Sequence, residues 1–218
     1  MNTKLFLGRI FTRFMRVFFF LLYQPMAWSY NFVARVVSWG RWKDWVLTVL
    51  PYVKGSQVLE IGHGPGHLQV ALQRKGIRTF GIDVSRQMGQ QARKRILKRD
   101  FTPKLIRGYA QHMPFPDRIF DQIVVTFPTE YIHSEETLRE VYRTLTPGGI
   151  LLVLPAAWIT GKRLADRGFA TLFRVTGQSS DWNPEWLVPF IKAGFQSEVE
   201  MITRKTWSLV IISAHKPD

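Results

Sequence analysis

The 218-residue chain contains no cysteine, which excludes both a disulfide framework and a thiolate metal site. Acidic residues are scarce: 16 Asp and Glu stand against 30 Lys and Arg, giving a formal net charge of +14. Such an excess favours an anionic partner, either nucleic acid or a membrane surface, although a soluble protein with a basic surface is the alternative. No group of residues has the spacing of metal ligands, so no metal is predicted.

A hydrophobic run long enough to cross a membrane is also missing near the start of the chain. The uninterrupted apolar run from Val17 to Tyr23 is far shorter than the about 20 residues that a spanning helix needs. Residues 5–22 instead place Arg9, Arg13 and Arg16 on one face of a helix and apolar side chains on the other, a pattern typical of a helix lying in a membrane interface. We expect residues 5–22 to bind an anionic membrane surface, with the protein cytoplasmic and peripheral on the inner face. The alternatives are a helix that packs on its own domain as a lid, and a signal or anchor segment, although no A-x-A-like cleavage site follows.

From residue 57 onward, strand and helix patterns alternate, which predicts an α/β fold with a doubly wound, mostly parallel, seven-stranded sheet preceded by N-terminal helices. The last two strands are joined without a helix, so they should form an antiparallel hairpin at one edge. We divide the chain into an amphipathic helical segment, residues 1–50, and one domain, residues 51–218, in which residues 155–182 form an irregular lid or substrate wall. The predicted strands are 57–61, 77–82, 104–108, 120–126, 149–154, 196–202 and 207–214, and the predicted helices are 66–75, 86–99, 134–145 and 184–193.

A glycine-rich turn organises this domain. The apolar stretch that ends in Glu60 and Ile61 runs into Gly62, Gly64 and Gly66 and then into a helical pattern. Such strand-to-helix turns bind nucleotides in open α/β sheets, because glycines permit positive φ and close approach of the backbone to a ligand.

A carboxylate accompanies this turn. Asp83 follows Gly62 by 21 residues, at the end of the second predicted strand, where it can accept hydrogen bonds from ribose hydroxyls. The alternative is a helix N-cap, a role that Ser85 fills better.

Further motifs extend the pattern: G-Y-A at 108–110, M-P-F-P at 113–116, F-D at 120–121 and L-R-E-V-Y-R-T-L-T-P-G-G at 138–149. With the glycine turn, they make residues 56–154 resemble the small-molecule, class I, Rossmann-like methyltransferases that use S-adenosylmethionine (SAM), including those of methyltransferase type 11. Y-N at 30–31, S-W-G at 38–40 and Trp45 are similar to the stretch before the first motif of ubiquinone/menaquinone C-methyltransferases. A membrane-seeking N-terminus before a short core is also similar to bacterial phospholipid N-methyltransferases.

This resemblance implies SAM as cofactor and assigns roles to the motif residues. Glu60 would orient the methionine amino group, the three glycines would leave room for methionine and ribose, and Asp83 would hold the ribose. The sequence departs from the family at Tyr109, where Asp or Asn is common. The implied cofactor set is Glu60, Gly62, Gly64, Gly66, Asp83, Val84, Ala110, Gln111 and Thr126. The predicted substrate or lid residues are Tyr30, Ser38 and Phe127, from the resembling stretches, and Trp158, from the irregular segment 155–182.

The catalytic base is left open among His133, Tyr131 and His63. The predicted activity is methyl transfer from SAM to a small lipophilic acceptor, of quinone or phospholipid type, at the membrane surface. One alternative is an RNA methyltransferase that uses the basic helix 86–99, but T-F-P-T at 126–129 lacks the N/D-P-P-Y/F pattern of enzymes that methylate base amino groups, so a nucleic-acid partner is disfavoured. The other alternative, a non-enzymatic SAM-binding protein, is disfavoured by the intact motifs.

Overall fold

The computed structural model describes residues 42–159 and 183–218. Its strands are β1 Gln57–Ile61, β2 Arg78–Asp83, β3 Leu105–Arg107, β4 Phe120–Thr126, β5 Leu145–Leu154, β6 Ala157–Ile159, β7 Gln196–Thr203 and β8 Trp207–His215. Its helices are α1 Trp42–Leu47, α2 His67–Arg74, α3 Arg86–Leu97, α4 Glu135–Thr144 and α5 Val188–Lys192, with 3-10 turns at Leu50–Tyr52, Glu130–His133 and Pro184–Leu187. Within these ranges no helix is long and apolar enough to cross a membrane.

The strands form one mixed sheet. β3, β2, β1, β4 and β5 lie side by side in that order and run parallel. β8 pairs antiparallel with β5, and β7 pairs antiparallel with β8 along its full length. The doubly wound, mostly parallel sheet with an antiparallel hairpin at one edge is therefore confirmed.

The sheet has one strand more than predicted. β6 pairs antiparallel with β8, opposite Trp207, Ser208 and Leu209, so the segment predicted as an irregular lid from residue 155 contains a short strand. Three residues are too few to show the two-residue alternation that marks a strand in sequence. The rest of the predicted lid, residues 160–182, lies outside the described residues, as do residues 5–22.

Alternate residues of the strands face two separate cores. Ile123 and Val125 of β4 pack toward α4 and α5, whereas Val124 packs toward α1 and α2. The second core contains Trp45 and Val49, so residues 42–50 pack as part of the sheet domain and the predicted boundary at residue 51 falls within that packing. Each fully buried apolar side chain stabilises the fold by roughly 1.5–3 kcal/mol.

Candidate cofactor and acceptor site

The glycine turn joins β1 to α2 in left-handed backbone conformations. The φ angles of Gly62, Gly64 and Gly66 are +69°, +49° and +78°, a region that side chains strongly disfavour. A Cβ atom on Gly64 would meet nothing within 4 Å, whereas one on Gly66 would lie 2.8 Å from the Cβ of Ala92. Gly64 therefore faces the open space that a ligand needs, and Gly66 allows α2 and α3 to pack closely.

Asp83, the last residue of β2, is joined to this turn. Its Oδ2 accepts a hydrogen bond of 2.8 Å from the Gly64 N–H, and its Oδ1 accepts one of 2.8 Å from the Ser85 N–H. Each carboxylate oxygen keeps a second lone pair for a ribose hydroxyl. The N-cap of α3 is Ser85, whose Oγ accepts from the Met88 N–H at 3.3 Å. Asp83 is therefore not the helix cap, and it lies beside the glycine turn as predicted.

Glu60 is a buried carboxyl group with only 2% of its surface exposed. Its Oε2 accepts a hydrogen bond of 2.9 Å from Nε2 of Gln69, which also donates to the Phe80 carbonyl oxygen at 3.1 Å. Burial, assisted by the charge of Asp83, raises the pKa of Glu60 to about 8, although the Gln69 hydrogen bond acts in the opposite direction. A cationic group beside Glu60 would favour its ionised form. The methionine ammonium of SAM is such a group, and it would pair with the ionised carboxylate.

Gln69 was not among the predicted site residues. It is fully buried between apolar neighbours of α2, and its Oε1 has no hydrogen-bond partner in the described part of the chain. The signal in the sequence is a glutamine on the apolar face of an amphipathic helix, directly after the glycine turn.

Tyr131 lies on the 3-10 turn that follows β4. A Cβ on Gly62 would come within 3.0 Å of its hydroxyl oxygen, which places the phenol over the glycine turn. Burial and the charges of Asp83 and Glu60 raise the pKa of Tyr131 above its ordinary value. The phenol therefore stays protonated and suits hydrogen-bond donation better than proton abstraction.

The two histidine candidates differ in surroundings. His133 is an exposed residue whose ring centre lies 5.9 Å from that of Phe190, and partial burial of the ring lowers its pKa, so it is neutral and able to accept a proton at neutral pH. The His63 ring is buried against Gly81, where an added Cβ would lie 2.8 Å from His63 Cδ2. Its Nδ1–H donates to the Gly64 carbonyl oxygen at 2.8 Å. This contact favours a structural role for His63 in holding the glycine turn.

Phe127, directly after β4, has a φ of +50°, which is unusual for a bulky side chain. Its N–H donates to the Leu154 carbonyl oxygen at 2.7 Å, and its ring centre lies 4.4 Å from that of Trp42 and 6.4 Å from that of Trp45. These contacts stabilise a backbone conformation that costs of the order of 1–3 kcal/mol. The result is an aromatic wall of Trp42 and Phe127, backed by the buried Trp45, at the carboxyl end of the central strand.

The remaining predicted residues occupy varied positions. Thr126 is half-buried at the end of β4, and Gln111 is half-buried in the turn after β3. Val84 is 44% exposed, as an adenine contact requires, whereas Ala110 is buried in the core. Trp158 packs partly buried against the core from β6. Tyr30 and Ser38 lie outside the described residues.

An ion-paired clamp joins two of the sequence motifs. Arg143 donates to Glu140 and Asp117 at 2.6–2.8 Å, and to the carbonyl oxygens of Phe115 and Met113 at 2.8 and 3.1 Å. Glu140 in turn accepts from the Met113 N–H at 2.7 Å. The M-P-F-P loop after Gln111 is therefore held by the L-x-E-x-x-R helix. This contact was not predicted from the sequence. The presence of both motifs in one chain was the only sequence feature that could have indicated it.

These groups fit SAM. The open left-handed turn at Gly64, the Asp83 carboxylate and the buried Glu60 match a ribose and a cationic amino acid portion. In the described part of the chain, no group of three or more His, Cys, Asp or Glu side chains is arranged to hold a metal ion. Residues 58–149 match the family described as a methyltransferase domain. Fold, site and this match identify the chain as a class I, Rossmann-like, SAM-dependent methyltransferase.

Curated relatives carry related names. The chain is 29% identical over 200 residues to the demethylmenaquinone methyltransferase of Symbiobacterium thermophilum, covering 86% of this chain and 76% of that protein. It is 29% identical over 153 residues to a ubiquinone/menaquinone biosynthesis C-methyltransferase of Pseudomonas entomophila, covering 66% of this chain but only 60% of that protein.

Solved structures share the fold. The YcgJ protein of Bacillus subtilis superimposes with a TM-score of 0.60 at 15% identity, covering 80% of this chain and 99% of that one. The phosphoethanolamine N-methyltransferase 2 of Haemonchus contortus, solved with S-adenosylhomocysteine, gives a TM-score of 0.62 at 18% identity, covering 82% of this chain and 53% of that one.

Proposed function

We propose that this methyltransferase acts on a lipophilic acceptor of quinone type at a membrane surface. The observation that carries the proposal is the aromatic wall at the end of β4, where Phe127 adopts a φ of +50° and lies 4.4 Å from Trp42. A planar, apolar ring packs well against such a surface. The names of the curated relatives support a quinone acceptor over a phospholipid.

The main requirement on the protein is to align the acceptor atom with the methyl group and the sulfur of SAM. SAM supplies a methyl group that is already activated, so positioning provides much of the rate. In the reduced quinone, loss of a ring hydroxyl proton makes the adjacent carbon nucleophilic. With SAM bound, that carbon would take the methyl group and S-adenosylhomocysteine would be the leaving group. The proton on the methylated ring carbon would then pass to solvent, and the ring oxygen would regain its hydroxyl proton, so one proton is released overall. We assign the first proton to His133, which is neutral at neutral pH, and a hydrogen bond to the acceptor or cofactor to the protonated phenol of Tyr131.

Membrane contact is proposed to come from residues 5–22, whose basic amphipathic pattern suits a cytoplasmic, peripheral protein. Each Arg near an anionic surface contributes about 1 kcal/mol. The full chain should sediment with anionic liposomes in low salt, and a variant lacking residues 1–24 should not. Retained binding by that variant would place the membrane contact elsewhere.

The activity is tested with the full chain, methyl-labelled SAM and two acceptors presented in the same vesicles: a reduced polyprenyl naphthoquinone and phosphatidylethanolamine. Lipids are then extracted and separated by thin-layer chromatography. We expect label in the quinone band and none with the Asp83→Asn variant. Label in the phospholipid band would replace the quinone by a phospholipid acceptor. Absence of label in both, with SAM binding intact by calorimetry, would overturn the lipophilic acceptor.

A further inference from the structure

Positive charge is concentrated in one stretch of the described chain. Residues 74–107 contain eleven Lys and Arg but only two acids, Asp83 and Asp100, so eleven minus two leaves +9. The ion pairs found among the described residues use Arg139 and Arg143, both outside this stretch. These eleven cations are therefore not neutralised by ion pairs within the described structure.

Part of this charge borders a groove of about 220 Å³ between α3 and β3. One wall consists of Arg86, Gly89, Gln90 and Arg93, whose spacing of three, four and seven residues places them on one face of the helix. A Cβ at Gly89 would meet nothing within 4 Å. The glycine therefore leaves the middle of the groove open between two arginines.

The opposite wall is formed from β3 and the residues before it. Pro103, Leu105 and Ile106 give it an apolar surface, and Arg107 closes it. The Nε of Arg107 donates to the Val84 carbonyl oxygen at 3.0 Å, which holds that guanidinium at the end of the strand.

The inner end of the groove is formed by Asp83, Ser85 and His63. Asp83 is the one acidic side chain among the lining residues, and its oxygens accept the Gly64 and Ser85 N–H groups. Gly62, Gly64 and Ala110 do not line the groove, so it lies next to the cofactor turn rather than within it.

We propose that this groove binds a phosphate group through Arg86, Arg93 and Arg107. Planar guanidinium groups bind phosphate oxygens in bidentate geometry, and three of them surround one open volume here. The apolar β3 wall suits the uncharged part of a phosphate ester. The same chemistry is presented by an anionic lipid headgroup and by a soluble phosphate.

Two variants of the full chain test the groove. Arg93→Gln removes one guanidinium, and Gly89→Leu fills the groove without changing the charge. Lys98→Gln is the matched control, since it removes a positive charge from the end of the same helix but outside the lining. Glycerol phosphate binding is measured by calorimetry, and binding to vesicles of phosphatidylcholine with phosphatidylglycerol is measured by sedimentation.

We expect both groove variants to weaken glycerol phosphate binding by roughly tenfold or more, and the control to change it less than about twofold. A parallel loss of vesicle binding, with competition by glycerol phosphate, identifies a lipid headgroup as the source. Vesicle binding that neither the groove variants nor glycerol phosphate change belongs to residues 5–22, and the phosphate bound in the groove is then a soluble one.

Three results would overturn phosphate binding in the groove. They are no binding of glycerol phosphate by the wild-type chain, unchanged binding by Gly89→Leu, and a loss of affinity in Lys98→Gln equal to that in Arg93→Gln. A further outcome is that single-stranded RNA binds tightly while glycerol phosphate does not. If all three variants then weaken RNA binding equally, the basic surface as a whole binds nucleic acid and the groove is not a phosphate site. None of these readouts depends on methyl transfer, so the result is independent of the proposed acceptor.

Discussion

The Nε2 atom of Gln69 lies 2.9 Å from Oε2 of Glu60, and both side chains are buried. Burial raises the pKa of Glu60 to about 8, so the free protein carries a proton on this carboxyl group at neutral pH. The group that would bind the SAM ammonium must therefore lose its proton when SAM binds. We therefore expect the cofactor affinity to depend on pH through this buried pair.

We predict that SAM binding near pH 7 releases about one proton from Glu60 and that the affinity increases as the pH rises toward 8, by up to about tenfold per pH unit. Calorimetry in two buffers of different ionisation enthalpy measures the release. Gln69→Leu removes the hydrogen bond that lowers the Glu60 pKa and should weaken binding at pH 7. Gln73→Leu on the same helix removes only a bond to Thr79 and should not. Proton release that persists in Glu60→Gln would assign it to another group.

The same pKa shift predicts how the stability of the free protein depends on pH. Because the folded-state pKa of Glu60 is raised from 4.5 to about 8, its stabilising contribution is complete below its unfolded pKa and is lost as the pH rises through 8. Relative to Glu60→Gln, the wild-type protein should lose on the order of 3 kcal/mol of unfolding free energy between about pH 5 and pH 8. Urea unfolding of both proteins across this range measures the difference, and parallel curves would contradict it.

Asp83→Asn should weaken SAM binding by roughly 1–3 kcal/mol, because a charged acceptor of ribose hydrogen bonds is lost. Asp121→Asn is the matched control: this carboxylate also accepts two backbone N–H groups, from Ser56 and from Gln57 at the start of β1. Both variants should lower the melting temperature, but only Asp83→Asn should change the SAM dissociation constant. Equal affinity in all three proteins would remove Asp83 from ribose binding.

The sequence was sufficient to predict most elements and the position of the cofactor turn. Most strands are rich in apolar residues and several have glycine or proline close to an end, so their order along the chain was readable. α3 begins where the Ser85 cap predicted, and the Asp83 hydrogen bond to Gly64 places the predicted carboxylate beside the predicted turn.

The features that were missed depend on contacts between distant residues. The Phe127 φ of +50° is set by packing against Trp42, which no local pattern encodes. The resemblance implied that Gly66 leaves room for the cofactor, whereas an added Cβ there would meet Ala92, a contact visible only once α2 and α3 are packed. The Arg143 clamp likewise joins residues 26–30 positions apart.

This clamp gives a further prediction. Arg143→Met should cost about 1–3 kcal/mol of unfolding free energy, because two loop carbonyl oxygens lose this donor and Glu140 keeps only the Met113 N–H. Arg139→Met, four residues earlier, removes an ion pair to Glu135 whose side chains are 70% and 82% exposed, and should cost less than about 0.5 kcal/mol. Urea unfolding of both variants measures the contrast. Equal costs would show that the loop is held by other contacts.

Proton abstraction by His133 predicts that His133→Asn lowers kcat by roughly 10²–10⁴-fold with an unchanged SAM dissociation constant. Since burial lowers the His133 pKa, activity should fall only below the ordinary histidine pKa of about 6.5 as the pH decreases. His215→Asn on β8 serves as the control. A larger loss of kcat in Tyr131→Phe than in His133→Asn would transfer the leading role to the phenol.

If the acceptor binds against the aromatic wall, substitutions in the wall should weaken acceptor binding without weakening cofactor binding. Phe127→Leu removes the ring that lies 4.4 Å from Trp42 and should raise the KM for a reduced quinone by about tenfold, because ring stacking and apolar burial are lost. Phe127→Gly should have the same effect while relieving the positive φ. Phe195→Leu, on the opposite core against Tyr142, controls for general destabilisation and should leave this KM unchanged. An unchanged KM in both Phe127 variants, measured by methyl transfer at saturating SAM, would show that the acceptor binds away from β4.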